Sequence, residues 1–184
     1  MDTYKRLPIR FVRGEGVYLF DDKGRRYIDL VAGVAVNSLG YSDPDLVIAL
    51  CEQAKKLMHI SNLFENPWQE EVAELLTKRF WVKGRVFFCN SGTEANEGAI
   101  KLARKYFRER GENRYRIITF KNSFHGRTYG SMSATAQEKV QKGFEPMLDG
   151  FDYAIYNNFD SVLKALKKET AGIMLEIIQG EGGV

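Results

Sequence analysis

Apolar residues return at helical spacing between positions 95 and 106, where Ala95, Ala99, Leu102, Ala103 and Tyr106 share one face and predict a helix over Thr93 to Arg110. The charges of that segment agree. Glu94 and Glu97 lie in its first turns and Lys101, Arg104, Lys105 and Arg108 lie toward its end, each sign opposing the partial charge of the nearer helix terminus. Short apolar runs at Val86 to Cys89, Arg116 to Phe120, Tyr153 to Tyr156 and Ile173 to Ile178 alternate with helical segments, Ser161 to Lys168 among them. Such alternation predicts an α/β fold with a mostly parallel sheet covered by helices. Earlier in the chain, Gly16 to Phe20 and Arg26 to Leu30 flank a turn at Gly24, which predicts a hairpin in a small N-terminal β segment. Asp43-Pro44 and Asn66-Pro67 each pair an N-cap residue with proline at the first helical position. The first opens a helix through Leu46, Val47, Leu50, Ala54 and Leu57, the second one through Val72, Leu75, Leu76 and Phe80.

Composition changes this picture little. With 184 residues, 44% hydrophobic and 28% charged, the chain can bury one sizeable core. The longest apolar stretch, Leu30 to Val36, is far below membrane-spanning length, and the first eight residues lack the apolar core of a signal peptide, so a cytoplasmic protein is expected. Cys51 and Cys89 have neither metal-ligand spacing nor a disulfide framework and read as packing residues; no metal is expected. The net charge of +3 comes from interleaved charges, with Glu109 and Glu112 among the basic residues of 104–116, and solvated helix faces explain it better than nucleic acid does.

Candidate chemistry gathers in two loops. Ser91 and Glu94 match a capping box, which leaves the amides of Gly92 and Thr93 free, and Gly92 has no side chain to hold an anion off the backbone. Taken alone, an ordinary capped helix explains these residues more simply than a ligand site. The loop Asn122 to Thr128 follows the next strand, and in parallel sheets ligands bind outside the carboxyl ends of strands. A hydrolase using Cys89 or Ser91 with His125 ranks last, since Asn90-Ser91-Gly92 offers no sharp nucleophile elbow.

The segments Asn90 to Glu97, Ser123 to Thr128 and Glu176 to Gly183, in this order and spacing, resemble the class III (ω) aminotransferases, fold-type I enzymes that use pyridoxal 5′-phosphate. The resemblance extends to Gly14 to Asp21 and Asn37 to Pro44. Tyr4 to Pro8 and Val31 to Asn37 are most similar to the acetylornithine aminotransferases of that group.

The resemblance implies roles residue by residue. Ser91, Gly92 and Thr93 would hold the cofactor phosphate, through backbone amides and with the Thr93 hydroxyl as an extra donor. Phe124 would lie against the pyridine ring, and His125 would support the pocket rather than act as catalyst. Arg127 would clamp the α-carboxylate of the amino donor and of 2-oxoglutarate, as a planar guanidinium can, with Tyr4 adding a hydroxyl. Gly33 would leave room for an N-acetyl or N-succinyl group, or else simply serve a backbone turn. Glu181 would pair with an arginine absent from this chain, and Glu176 and Gln179 would belong to the wall beside the ring.

Residues 1–44 would belong to a small domain and 45–184 to the first part of a large cofactor domain. The expected reaction moves the side-chain amine of N-acetylornithine, or a succinylated analogue, to 2-oxoglutarate in arginine or lysine biosynthesis, in a homodimer. Members of the group continue into an aspartate strand, the Schiff-base lysine and a C-terminal domain. The chain is therefore expected to be an N-terminal portion with no catalytic lysine of its own and no activity alone. An inactive cofactor-binding or interaction fragment, or another ω-aminotransferase such as an ornithine aminotransferase, are the alternatives.

Overall fold

A computed structural model describes residues 3–80 and 83–183. The chain divides into two compact units, the first ending at Pro67 and the second beginning at Trp68.

The first unit opens with an antiparallel meander of β1 (Phe11–Glu15), β2 (Tyr18–Asp21) and β3 (Arg26–Ile28), in that spatial order. The expected hairpin is β2–β3; β1 adds a strand that the sequence pattern did not announce. Asp21 builds the connecting turn. Its carboxylate accepts from the amides of Lys23 at 3.0 Å and Arg25 at 2.8 Å, from Arg25 Nε at 2.7 Å and from the Tyr27 hydroxyl at 3.1 Å. Burial alone would raise its pKa, but these donors outweigh it and hold the group at about 2. Asp29 next accepts from the amides of Val31 and Ala32 and from Tyr41 Oη.

The short turn α1 (Ala32–Ala35) that follows is left-handed, with φ of 48° at Ala32, 63° at Gly33 and 61° at both Val34 and Ala35. Only the glycine adopts this region without strain. Helix α2 (Pro44–Ala54) begins where the Asp43-Pro44 signal places it, with Asp43 accepting from the Leu46 amide at 2.9 Å. Cys51 on α2 is exposed, so its expected packing role is not met.

The second unit holds α3 (Pro67–Arg79), which continues from the junction, α4 (Gly92–Arg108), β4 (Arg116–Phe120), α5 (Tyr129–Ala134), α6 (Glu138–Gln141), β5 (Phe151–Ala154), α7 (Phe159–Ala165) and β6 (Thr170–Ile173). Its sheet is parallel with order β5-β4-β6, so β4 is central. The period of two along β4 sends Ile117 to one face, against Ile100 of α4, Ala134 of α5 and Phe151. Ile118 and Phe120 go to the other, against Ala154 with Val162 and Ala165 of α7. The α/β expectation is thereby met. An ion pair ties β4 to β5, with Arg116 Nε 2.7 Å and Nη2 3.0 Å from the two Asp152 oxygens, a bidentate geometry.

Two expectations are corrected. Residues 86–89 form no strand, and Phe87, Phe88 and Cys89 are exposed. The Phe87 ring instead lies beside Gly98 of α4, where an added Cβ would meet it at 3.3 Å, and it keeps most of its surface exposed. The buried face of α4 is also not the one the spacing selected. Ile100 is buried with Ala103 packed beside it, while Leu102 is 70% exposed and Ala95, Ala99 and Tyr106 are exposed as well. The inward face carries the polar Asn96 and Glu97, which hid it from a purely hydrophobic count.

Candidate cofactor-binding site

The site is assembled at the start of α4, where Ser91 is the N-cap. Its hydroxyl accepts from the Glu94 amide at 3.3 Å and donates to Glu94 Oε2 at 3.1 Å, while Asn90 Nδ2 donates to Oε1 at 3.0 Å. The Asn90 bond first, and the Ser91 bond second, hold the Glu94 carboxyl below its ordinary range. Ser91 is thus committed to capping. No acceptor among the described residues meets the amides of Gly92 and Thr93, the two donors a capped helix start leaves over.

Gly92 tests whether a ligand fits there. Its φ lies outside the left-handed region, and a Cβ built on it would meet nothing within 4 Å. Neither backbone conformation nor packing calls for glycine at this position. Open space beside the Gly92 Cα, next to two unpartnered amides at the positive end of a 17-residue helix, suits a phosphate.

The loop leaving β4 reaches the same place. Asn96 Nδ2 donates to the His125 carbonyl at 2.6 Å, Thr93 Oγ1 lies 3.2 Å from Thr128 Oγ1, and the Ser131 hydroxyl donates to the Thr93 carbonyl at 3.0 Å. The loop's interior is fixed from its far side too. The His125 amide donates to Thr135 Oγ1 at 2.8 Å and the Gln137 side chain donates to the Ser123 carbonyl at 2.8 Å. Gly126, with φ of 126°, lets the loop cross close to Thr93. The loop that carries Phe124 and Arg127 is therefore tied to the start of α4. Phe124 is 36% exposed, an accessible ring rather than a core one, and Arg127 is exposed.

His125 is buried, and its Nε2 has no hydrogen-bond partner. Burial pushes its imidazole below the ordinary histidine range, so the ring is held neutral. Ser91 Oγ already bonds Glu94, and no hydroxyl–imidazole pair of the hydrolase kind exists among the described residues. The segment after β6 closes another side. Glu176 Oε2 accepts from the Phe124 amide at 3.2 Å, and burial raises this carboxyl above its usual range, with Glu181 adding to the effect. Gln179 is buried and donates to the Lys121 carbonyl at 3.1 Å. Glu181 pairs with Lys139 at 3.6 Å. Tyr4 and Gly33 belong to the first unit. Gly33 sits in the left-handed turn, where a Cβ would lie 3.1 Å from Asn37 Nδ2, so its backbone role is real whatever else it does.

Sequence reasoning gave no role to Ser131 or Thr135, read Glu97 only as a first-turn charge and Asn96 only as part of the motif, yet these four lock helix to loop. The signal was available at Asn96 and Glu97, two polar residues one turn before Ile100 on the same side of the helix.

The family model described as aminotransferase class-III matches residues 2–184. An acetylornithine aminotransferase of Aquifex aeolicus is 62% identical over the whole chain, which covers 49% of that protein. Among solved structures, N-acetylornithine aminotransferase from Stenotrophomonas maltophilia is 42% identical with a TM-score of 0.79, over 98% of this chain and 44% of its own. A structure of the ornithine aminotransferase from Toxoplasma gondii, with pyridoxal phosphate at partial occupancy in its active site, is 31% identical with a TM-score of 0.90, over 100% of this chain and 44% of its own. The chain spans about half the length of the curated relatives it matches. No helix among the described residues is long and apolar enough to cross a membrane.

Proposed function

The chain belongs to the class III aminotransferases, a pyridoxal-phosphate-dependent family, and from that premise we propose that the protein carrying it moves the side-chain amine of N-acetylornithine, or of a succinylated analogue, to 2-oxoglutarate. The observation that carries this reading is the pair of amides at Gly92 and Thr93 that no acceptor among the described residues meets, with open space beside Gly92 and the 124–127 loop tied alongside. Identity of 62% to an acetylornithine aminotransferase supports the choice of donor.

In this reading Gly92 and Thr93 grip the phosphate, each amide contributing a hydrogen bond to a charged acceptor worth about 1.5–3 kcal/mol. Ser91 shapes the helix start rather than touching the ligand. Phe124 covers the ring, and His125, neutral and buried, supports the pocket behind it. Pyridoxal phosphate, when bound, supplies the electron sink for amino-group chemistry. Arg127 orients the α-carboxylate by its planar fork. Glu181 stays the candidate for side-chain selection, and its ion pair with Lys139 is one it can exchange, because both partners are well exposed. Tyr4 and Gly33 carry over from the resemblance as substrate-facing residues of the first unit. A cytoplasmic homodimer working in amino-acid biosynthesis goes with the same reading.

The test is a glutamate-forming assay on the full-length protein that carries this chain, with 2-oxoglutarate and either N-acetylornithine or ornithine. A kcat/KM at least tenfold higher for N-acetylornithine is expected; equal or better use of ornithine overturns the donor assignment. The second reading is an ornithine-type ω-aminotransferase, favoured by the higher backbone similarity to the Toxoplasma gondii enzyme, and the same assay decides between them.

A further inference from the structure

We propose that Glu97 is a positioning residue that fixes the direction of a hydroxyl chain at the phosphate end of α4, so that the phosphate is gripped by backbone amides with no help from the Thr93 hydroxyl proton. The proposal rests on the reading that Gly92 and Thr93 take a phosphate.

The geometry of the protons leads to it. Glu97 Oε1 accepts from Thr128 Oγ1 at 2.5 Å and from the Ser131 amide at 3.0 Å. An ionised carboxylate only accepts, and a threonine hydroxyl has a single proton, so the Thr128 proton is spent on Glu97. The remaining contact, Thr93 Oγ1 to Thr128 Oγ1 at 3.2 Å, then requires Thr93 to donate. The chain runs one way, from Thr93 to Thr128 to Glu97. The expectation that the Thr93 hydroxyl serves as an extra phosphate donor is thereby replaced by one in which its proton points away from the opening over Gly92.

Two glycines let the carboxylate do this. A Cβ on Gly130 would lie 2.5 Å from Glu97 Oε2, so the carboxylate rests directly on the loop backbone, and Gly126 gives Thr93 the same intimacy one turn of chain earlier. Glu97 thus joins the second turn of α4 to both the start of α5 and the hydroxyl beside the anion opening. Losing it unmoors the Ser131 amide, and with it the Ser131 hydroxyl that holds the Thr93 carbonyl, so the helix start that presents the two amides is loosened.

The experiment titrates the full chain with pyridoxal 5′-phosphate and, separately, with pyridoxal, which lacks the phosphate. Glu97→Ala is expected to weaken the phosphorylated compound about tenfold or more while leaving pyridoxal within about twofold. Glu97→Gln keeps a side-chain oxygen that accepts from Thr128 and is expected to stay within about threefold. Thr128→Val removes both the acceptor of the Thr93 proton and the donor to Glu97, and is expected to show a phosphate-specific loss of about threefold or more. Glu97→Asp, one methylene shorter, serves if the alanine variant does not fold, with a phosphate-specific loss of about threefold or more expected. Equal losses for both compounds, or none, in the Glu97 variants overturn the positioning role, and an unchanged phosphate affinity in Thr128→Val overturns the hydroxyl chain. Failure of the underlying reading has a different signature, an unaltered chain that holds pyridoxal as tightly as its phosphate ester.

Discussion

Thr93 and Gly126 approach so closely that a Cβ built on the glycine would lie 2.0 Å from the Thr93 hydroxyl oxygen. No real side chain tolerates that distance, and the φ of 126° at Gly126 adds backbone strain to any substitution. Gly126→Ala is expected to destabilise by about 2–4 kcal/mol, combining that strain with overpacking. Denaturant unfolding measures it, and Thr93→Ala in the same chain is expected to restore part of the loss. Simple additivity of the two losses would mean that the contact is not where the strain lies.

Gly92 differs in kind, because nothing in the fold asks for it. Gly92→Ala is expected to leave the melting temperature unchanged or slightly higher, as alanine suits a helix better than glycine. Affinity for pyridoxal 5′-phosphate is expected to fall about tenfold or more as the new methyl group enters the opening. Thermal unfolding and cofactor titration on one preparation separate the two effects, and unchanged affinity would remove the phosphate from this position.

Arg127→Lys keeps the charge but loses the planar fork. We expect KM for both the amino donor and 2-oxoglutarate to rise about tenfold, with cofactor affinity unaltered, since a point charge cannot bind a carboxylate through two parallel bonds. Steady-state kinetics with each substrate varied in turn provides the check. KM values that do not move place the carboxylate elsewhere.

The Asp21 turn predicts an acid limb of stability in the first unit. Its carboxyl is held at about 2 in the fold against an ordinary value of 3.8. A depressed carboxyl stabilises fully above its unfolded value, and that contribution drains away as pH falls from about 4 toward 2. Asp21→Asn is expected to lower stability at neutral pH and to flatten its dependence in that window. Melting curves of both chains between pH 2 and 5 reveal whether the slopes differ; parallel slopes would rule Asp21 out as a source of the acid limb.

Much of this fold was legible because local chemistry and tertiary demand agree. Asp43-Pro44 and Ser91 mark helix starts through caps that the structure uses, and the short apolar run Arg116–Phe120 marks a strand whose two faces meet different helices. Legibility failed where burial was polar or borrowed. Asn96 and Glu97 face inward on α4 because they bond the 125–131 loop, so the purely apolar stripe through Leu102 is the outward one. Phe87 contacts Gly98 across the chain, and no run of neighbouring residues announces that. At the site, the motif residues were visible by type. The direction of the Thr93–Thr128–Glu97 chain was not, because proton bookkeeping needs distances.

For anyone reshaping this chain by directed evolution, positions 93, 97, 126, 128 and 130 form one connected set. Single changes at the two glycines meet a neighbour that does not yield, whereas a library that varies the set jointly can reach repacked arrangements that single steps miss.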